Sequence, residues 1–293
     1  MISSFKPPIQ NIQMKTSSTS SLQIAINMKN IPKLLALMLF STLFWSCEKV
    51  IEIDRADNEE RYVIEGTITN EPGVCSVLLS KTKNFQDENR FMGISGATVK
   101  IANNGVIVTL PESSPGVYKT STINGTPGQT YVMTVDVDGK TFTASSTMPE
   151  NVPFDDFYMK ASDFGKRRTT AYVRYKDPLE RENYYWFQLF VNDKKQRNFS
   201  VMNDEFTPGQ EVNTTVSFQN DTDDLSKDFK KGDKLGVEMH SVDASAYLYL
   251  HSLGNAEGSN NGASPANPIS NITGGALGFF SAHTVQKRTL VIP

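Results

Sequence analysis

The sequence predicts a mostly β protein, with an antiparallel β-sandwich over residues 62–149 and a second β-rich domain with one short helix over residues 150–293. Short segments in which apolar and polar residues alternate recur along the chain, and a period of two is typical of strands with one buried face. Turns rich in Gly, Asn and Asp separate these segments at close intervals, as in sandwiches. A single segment after residue 60 has helical spacing.

Seven strands are predicted for the first domain. In chain order they are "RYVIEGTIT", "CSVLLSKT", "ATVKIAN", "VIVTL", "GVYKTS", "QTYVMTVDV" and "KTFTASSTM". The "VDGK" between the last two predicts a hairpin turn, because Asp138 and Gly139 tolerate positive φ angles. This segment resembles the transthyretin-like and immunoglobulin-like modules of exported bacterial proteins. That resemblance implies a fold and is compatible with many functions.

A boundary is predicted at Pro149 and Pro153, and the second domain begins there. Its predicted strands are "TTAYVRYKDP", "NYYWFQLFVND", "FSVMNDEF", "EVNTTVSFQ" and "DKLGVEMHSV", with one or two more in "ALGFFSAHTVQKRTLVI". Between them, "VDASAYLYLHSLGN" predicts the helix, with Asp243 as its N-cap and Gly254 at its end.

The N-terminal region predicts export and lipid anchoring. Lys29 and Lys33 precede an uncharged apolar run, "LLALMLFSTLFW", which is too short to cross a bilayer. Residues 28–46 resemble a lipoprotein signal peptide, in which Cys47 becomes the first mature residue and carries diacylglycerol. Phe44 and Trp45 are bulkier than is usual there. Residues 1–27 are interpreted as a mis-called start or a removed leader, and residues 47–61 as anchor and tether.

Composition narrows the classes of partner and chemistry. The chain has 29 Lys and Arg against 32 Asp and Glu, a net charge of −3, which gives no indication of nucleic-acid binding. With Cys47 acylated only Cys75 remains, so neither an intramolecular disulfide nor a cysteine zinc site is expected. The mature chain, 293 − 46 = 247 residues, must therefore be stabilised by a packed core.

The residues typical of catalysis and metal binding form no recognised motif. His240, His251 and His283 lack the spacing of a helical metal pair, and ordinary core or surface roles are the expectation. "NDTDD", Asn220–Asp224, is either a calcium loop or a solvated acidic turn. No nucleophile elbow, zinc-protease motif or phosphate loop is present. We therefore expect a protein without a cofactor that is not an enzyme.

Aromatic residues give the stronger indication of a binding surface. Tyr184 and Trp186 share one face of a predicted strand, and the predicted helix carries Tyr247 and Tyr249. This face is either a contact surface or buried between sheet and helix. The polar loop from Ala256 to Gly275 is either a partner-binding segment or a tolerated insertion. The candidate contact residues are Tyr184, Trp186, Tyr247, Tyr249, Asn260 and Asn261.

Several segments together resemble a known family. They are "CEKVIEID", "YVIEGTITNEPG", "DPLERENYYWFQLF", "GDKLGVEMHSVDASAYLYLHSL" and "NPISNITGGALGFFSAH". The chain is similar to the Bacteroidetes outer-membrane lipoprotein family known as domain of unknown function 4249.

This resemblance implies an outer-membrane protein, lipid-anchored and exposed at the cell surface. Its implied role is that of a non-catalytic partner of a TonB-dependent receptor in nutrient uptake. The resemblance assigns no catalytic residues to this chain. A structural or adhesive surface lipoprotein, or an unrecognised hydrolase, is the alternative.

Overall fold

A computed structural model of the chain describes residues 60–83, 91–161, 169–216, 230–258 and 267–292. All of these residues belong to one compact unit. Fifteen strands and one helix lie in this part of the chain, which confirms the prediction of a mostly β fold.

The elements follow one another with short connections. The first eight strands are β1 (Tyr62–Thr69), β2 (Cys75–Lys81), β3 (Thr98–Asn103), β4 (Val106–Leu110), β5 (Glu112–Ser114), β6 (Val117–Thr120), β7 (Thr130–Val137) and β8 (Lys140–Thr147). The remaining elements are β9 (Phe154–Ala161), β10 (Thr169–Lys176), β11 (Tyr184–Val191), β12 (Lys194–Asn203), β13 (Glu211–Val216), β14 (Lys234–Val242), helix α1 (Ala244–Gly258) and β15 (Leu277–Val291).

The strands form three sheets. The largest has eight strands in the order β12-β11-β14-β15-β1-β2-β6-β5. A four-stranded sheet, β4-β3-β7-β8, and a three-stranded sheet, β13-β10-β9, accompany it. Strands β1, β7 and β8 show an alternation of buried and more exposed residues, because neighbouring side chains point to opposite faces of a sheet.

The predicted β-sandwich lies between the four-stranded sheet and one half of the eight-stranded sheet. Ile64, Val77 and Leu79 from the larger sheet and Val99 and Met133 from the smaller one are fully or almost fully buried in this cluster. Cys75 is buried there as a free thiol, and burial raises its pKa to about 12. Apolar burial of this kind, at about 25 cal/mol per Å², is the main stabilising contribution.

The three-stranded sheet packs against the other half of the eight-stranded sheet. Val173 and Tyr175 of β10 pack against Tyr185, Phe187 and Leu189 of β11 in a second buried cluster. The rings of Tyr175 and Tyr185 lie 4.7 Å apart in a tilted arrangement, one of the favourable geometries for aromatic pairs.

Strand β15 connects the two halves. It pairs in parallel with β1, from Val63 opposite Leu277 to Thr69 opposite His283, and in antiparallel fashion with β14. Ala282 of β15 lies in the sandwich cluster, whereas Leu290 packs against the second cluster. The sandwich cluster therefore contains residues from both sides of the predicted boundary near Pro149, and the large sheet runs across that boundary.

The tight turns follow the sequence closely. Asp138 and Gly139 have φ angles of 49° and 73°, which confirms the predicted hairpin between β7 and β8. Asn192 and Asp193, at 50° and 62°, form a second such turn between β11 and β12 that sequence reasoning missed. Strands β5 and β9 were also missed, β9 because it begins directly after Pro153.

The helix begins as predicted. The Asp243 carboxylate accepts a hydrogen bond of 2.9 Å from the Ala246 amide, and it also accepts bonds from Ser146 Oγ at 2.5 Å and the Thr147 amide at 3.1 Å on β8. The prediction that Gly254 ends the helix is wrong, because the helix continues to Gly258. Gly254 does not have a positive φ angle, and no atom lies within 4 Å of an added Cβ, so the helix continues beyond this residue.

Replacing Gly278 by Ala should destabilise the fold by more than ~2 kcal/mol. Gly278 has a φ of 97°, and an added Cβ would lie 2.0 Å from the Ile64 carbonyl oxygen on the paired strand. Gly275→Ala is the matched control, since its φ is 89° but no atom lies within 4 Å of an added Cβ. Urea unfolding of both variants separates the two costs, and equal losses would contradict a close approach at Gly278.

Replacing Asp243 by Ala should cost ~2 kcal/mol or more, since it removes the N-cap together with the tie to β8. Thermal unfolding measures the loss. Ser245→Ala is the control, because the Ser245 hydroxyl donates to Asp243 Oδ1 at 2.8 Å and accepts from Asn271 Nδ2 at 3.0 Å but is not the cap itself. An Asp243→Ala variant as stable as the control would show that the helix is held by its apolar face alone.

Candidate functional site beneath helix α1

Helix α1 covers the face of the eight-stranded sheet that is opposite to the two smaller sheets. On β11, Tyr185 faces the second buried cluster, whereas Trp186 packs against the helix cluster. Val242, Ala246 and Leu250 are buried in that helix cluster. The helix covers only part of this face, and a depression remains beside it.

The depression is a cavity of about 540 Å³, within the usual range for small-ligand sites. Residues from α1, from both halves of the large sheet and from β12 line it. These are Glu65, Thr67, Ser76, Leu78, Trp186, Gln188, Lys195, Gln196, Arg197, Phe199, Tyr249, Leu250, Leu253 and Phe279. We call it the α1 pocket.

The floor of the α1 pocket is aromatic. Tyr249 stacks on Phe279 with ring centres 4.7 Å apart, and the Lys195 ammonium lies 5.8 Å from the centre of the Trp186 ring. Burial and the nearby Glu65 carboxylate raise the pKa of Tyr249 to about 12, so its hydroxyl stays protonated at neutral pH. Aromatic surface beside a few placed polar groups is typical of binding pockets.

An irregularity in β12 shapes one wall. Gln188 pairs with Phe199 and Phe190 pairs with Lys195, so three residues of β12 lie opposite one residue of β11. Such a bulge changes the direction in which the side chains of the strand point. The buried Gln188 amide holds it, donating a 2.8 Å hydrogen bond to the Gln196 carbonyl oxygen.

Two buried histidines lie under the pocket. His240 stacks on Trp186 with ring centres 4.2 Å apart, and His283 meets the His240 ring edge-on at 4.9 Å. Ser281 Oγ lies 3.0 Å from His283 Nδ1, within hydrogen-bond distance. Among the described residues, neither ring nitrogen of His240 has a hydrogen-bond partner, and the Trp186 indole nitrogen has none either.

Burial controls the charge of this pair. It lowers the pKa of His240 and lowers that of His283 well below the ordinary value, so both rings are neutral at pH 7. Glu238 Oε2 is 3.5 Å from His240 Nε2, and its negative charge raises the pKa of His240. The positive charges of Lys195 and Lys287 lower that pKa further.

A partly exposed ion-pair chain lies next to the histidines. Lys287 Nζ is 3.1 Å from Glu238 and 2.9 Å from Glu71, which links β14 to the turn after β1. Burial raises the pKa of the Glu238 carboxyl, but contacts with His240 and Lys287 outweigh it and leave that pKa below its ordinary value. Glu238 is therefore ionised and fixed beside a neutral imidazole.

The structure brings together two of the predicted contact residues, Trp186 and Tyr249, in the α1 pocket. Tyr184 and Tyr247 pair with each other instead, at 5.0 Å, and the Tyr184 hydroxyl donates to Glu182. Both faces of β11 are thus largely covered. The contact role of the four aromatic residues stays a prediction.

Other predictions concern residues elsewhere. Cys47, Asn260, Asn261 and the Asn220–Asp224 segment lie outside the described residues. His251 is exposed on α1 and stacks on Tyr247 rather than meeting His240. The described residues contain no group of three or more His, Cys, Asp and Glu side chains placed to hold a metal ion.

Sequence reasoning missed Glu65, Lys195 and Phe279 as pocket residues. The alternation in "YVIEGTIT" puts Glu65 on the outward face, which was a usable signal. Lys195 precedes an irregular segment without a period, so its direction was not readable from the sequence. Phe279 lies in an apolar run that indicates burial only.

The comparisons give a family and no function. The model of one family, described as a domain of unknown function, DUF4249, matches residues 48–289. No curated protein matches the chain. Among the described residues, no helix has the length and apolar character needed to span a membrane.

The buried histidines should make stability fall as the pH drops below about 6.5, the value for an unfolded histidine. Their folded-state pKa values are lowered, so the unfolded chain binds more protons, and the stability present above pH 6.5 is lost on acidification. His283→Gln should remove about 1 kcal/mol per pH unit of this slope between pH ~6.5 and ~5.5.

Urea unfolding at a series of pH values measures the slope. His251→Gln, which replaces a histidine exposed on α1, is the matched control for the substitution itself. Equal slopes for the His283 variant and the wild-type protein would mean that the pair is not kept neutral by the fold.

Proposed function

The chain belongs to the DUF4249 family, and from this premise we propose that it is a lipid-anchored outer-membrane protein that binds a ligand at the cell surface for a TonB-dependent receptor. In this proposal the protein captures and does not transform its ligand. The α1 pocket is the observation that carries the binding role.

The pocket supports binding through its construction. Its walls come from strands and a helix rather than from loops, so the lining side chains are held by the packed sheet on one side and by the Asp243 cap on the other. Its polar groups, chiefly Glu65, Lys195 and Gln188, lie around apolar and aromatic surface. This combination gives affinity through burial and selectivity through a few charges.

The anchoring part of the proposal rests on the sequence. Cys47 follows an apolar run, and the family match begins at the next residue, Glu48. Acylation adds about 0.8 kcal/mol per buried methylene, so several chains hold a protein at a membrane without a spanning helix. Residues 47–61 then act as the tether.

A structural or adhesive role is the second candidate, and one surface favours it. Val106 and Ile107 of the edge strand β4 are 64% and 66% exposed. Ile107 pairs with Ala102 of β3, which pairs in turn with Val132 of β7, itself 40% exposed. An apolar row on an exposed edge is typical of protein contacts. In this alternative the row binds a surface component and no receptor is required.

Cys47→Ser should release the protein from the membrane fraction, since serine cannot form the thioether to diacylglycerol. Carbonate-washed membranes, probed by immunoblot, measure the change. Cys75→Ala is the control, because Cys75 is buried in the sandwich and should leave membrane attachment unchanged. A serine variant that stays membrane-bound after the wash would refute the anchor.

The receptor partner is tested separately by pull-down from detergent-solubilised membranes and mass spectrometry. A TonB-dependent receptor should be recovered with the wild-type chain and with an Ile107→Ser variant. Recovery of other surface components that Ile107→Ser abolishes, without any receptor, would favour the adhesive role.

A further inference from the structure

We infer that the outer face of the four-stranded sheet is a dimer interface, on which a second copy of this chain packs face to face. The outer face consists of the side chains of β3, β4, β7 and β8 that point away from the sandwich core, and most of them are exposed. This inference goes beyond ligand binding and does not depend on it. Four features of the outer face carry it: its apolar row, its paired polar groups, its low charge and its area.

An exposed apolar row crosses the outer face. Ile107 of the edge strand β4 is followed across the sheet by Ala102 and then by Val132, which lies near the centre of the face. Ile107 is 66% exposed and Val132 is 40% exposed. Most of the other outward residues are threonines, and β-branched side chains pack well on a pleated surface. An apolar row set among threonines is therefore suited to contact with a second sheet.

Polar groups of the outer face satisfy one another. Thr130 Oγ1 lies 2.8 Å from Thr147 Oγ1, and Thr141 Oγ1 donates to Asp136 Oδ1 at 2.7 Å. Asp136 Oδ2 also lies 3.6 Å from Lys100 Nζ, so the two charged residues of the face form an ion pair. A polar group left unpaired costs ~1–3 kcal/mol to bury, whereas a hydrogen-bonded group keeps its partner. Covering the outer face therefore leaves these groups paired.

The low charge of the outer face contrasts with the three-stranded sheet of the same chain. The outward side of that sheet carries several charged residues of both signs, namely Asp156, Lys160, Arg174, Lys176 and Glu211. Charged side chains are one device by which exposed sheets avoid association. The outer face of the four-stranded sheet has only the Lys100–Asp136 pair, whose charges cancel. The chain thus protects one exposed sheet with charge and leaves the other open to contact.

A second copy of the chain is the partner that the outer face fits. In a two-fold interface the same patch lies against itself, so the apolar row of one copy meets the apolar row of the other. The Lys100–Asp136 pair adds no net charge, so the contact brings no excess of like charge together. A partner selected by charge would find no net charge to bind here.

The area of the outer face is at the lower end of what a specific dimer needs. Four strands ~4.8 Å apart are roughly 19 Å wide, and about seven residues of ~3.4 Å give a length of roughly 24 Å. Each face then covers about 450 Å² in plan, and two stacked faces bury on the order of 1,000 Å² once the relief of the side chains is included. We therefore expect a dissociation constant in the micromolar range rather than the nanomolar range.

The test is sedimentation equilibrium of the full chain in a density-matched detergent, over concentrations on the order of 1–100 µM. The wild-type chain should pass from monomer to dimer as its concentration rises. Val132→Lys should weaken the dimer by about tenfold or more, because two lysines are then brought together near the two-fold axis. Leu248→Lys is the matched control, since Leu248 is 44% exposed on α1 and should leave the dissociation constant unchanged. A wild-type chain that stays monomeric throughout would overturn the inference.

A charge exchange distinguishes loss of contact from loss of folding. Val132→Glu alone should weaken the dimer as Val132→Lys does, because two carboxylates then meet. An equimolar mixture of the two variants should associate at least as tightly as the wild-type chain, since each lysine then faces a glutamate. A misfolded variant would not recover on mixing. A mixture that stays as monomeric as the separate variants would contradict a contact at Val132.

The same variants distinguish the other ways of covering this surface. Val132 lies two strands in from the free edge of β4, so an edge-to-edge pairing of two β4 strands would survive both substitutions. A dimer that persists in both variants would therefore overturn the face-to-face contact. A monomeric wild-type chain that loses a co-purifying surface component on Val132→Lys would assign the outer face to the adhesive role instead, and it would equally overturn the dimer.

Discussion

The parallel pairing of β15 with β1 is the constraint on which the rest of the structure depends. Gly278 lies so close to Ile64 that no side chain fits, and Phe280 fills the space left by Gly66, where an added Cβ would lie 2.7 Å from the Phe280 ring. Both glycines thus permit an approach that larger residues would prevent. Because β1 begins the described fold and β15 ends it, this pairing closes the large sheet only when almost the whole chain is in place. Such non-local pairing is typical of slow-folding β proteins.

The same strand also builds the candidate site. Its residues alternate between the two faces of the sheet, so Phe280 and Ala282 enter the sandwich core while Phe279, Ser281 and His283 face the helix side. A one-residue change of register would exchange these sets, placing a buried histidine in the apolar core. The position of the α1 pocket is therefore fixed by the register of β15, and the Asp243 cap then fixes the helix that borders it.

Local patterns in the sequence predicted most of the strands, the hairpin at Asp138 and the helix N-cap, because each depends on a few neighbouring residues. The pocket depends on pairings that no local pattern encodes. His240 and His283 are far apart in sequence, and they meet because β14 and β15 pair with His240 opposite Val285, two residues beyond His283. The bulge in β12 was equally hidden, since "KKQRNF" has neither glycine nor a clear period. The aromatic alternation in β11 identified Trp186, but which of its two faces would be covered by a helix was a tertiary question.

The distribution of charge around the pocket follows from the cost of burial. The floor and the layer beneath it hold groups that are polar but neutral, namely two neutral imidazoles, an indole and the Gln188 amide, since an unpaired charge there would lose its hydration. Ionised groups remain at the rim, where Lys195 and Glu65 are exposed to water, or in the paired chain formed by Glu71, Lys287 and Glu238. The histidine pair contributes to this arrangement through its neutrality, since a protonated imidazole beside Trp186 would place an unpaired positive charge directly beneath an apolar floor.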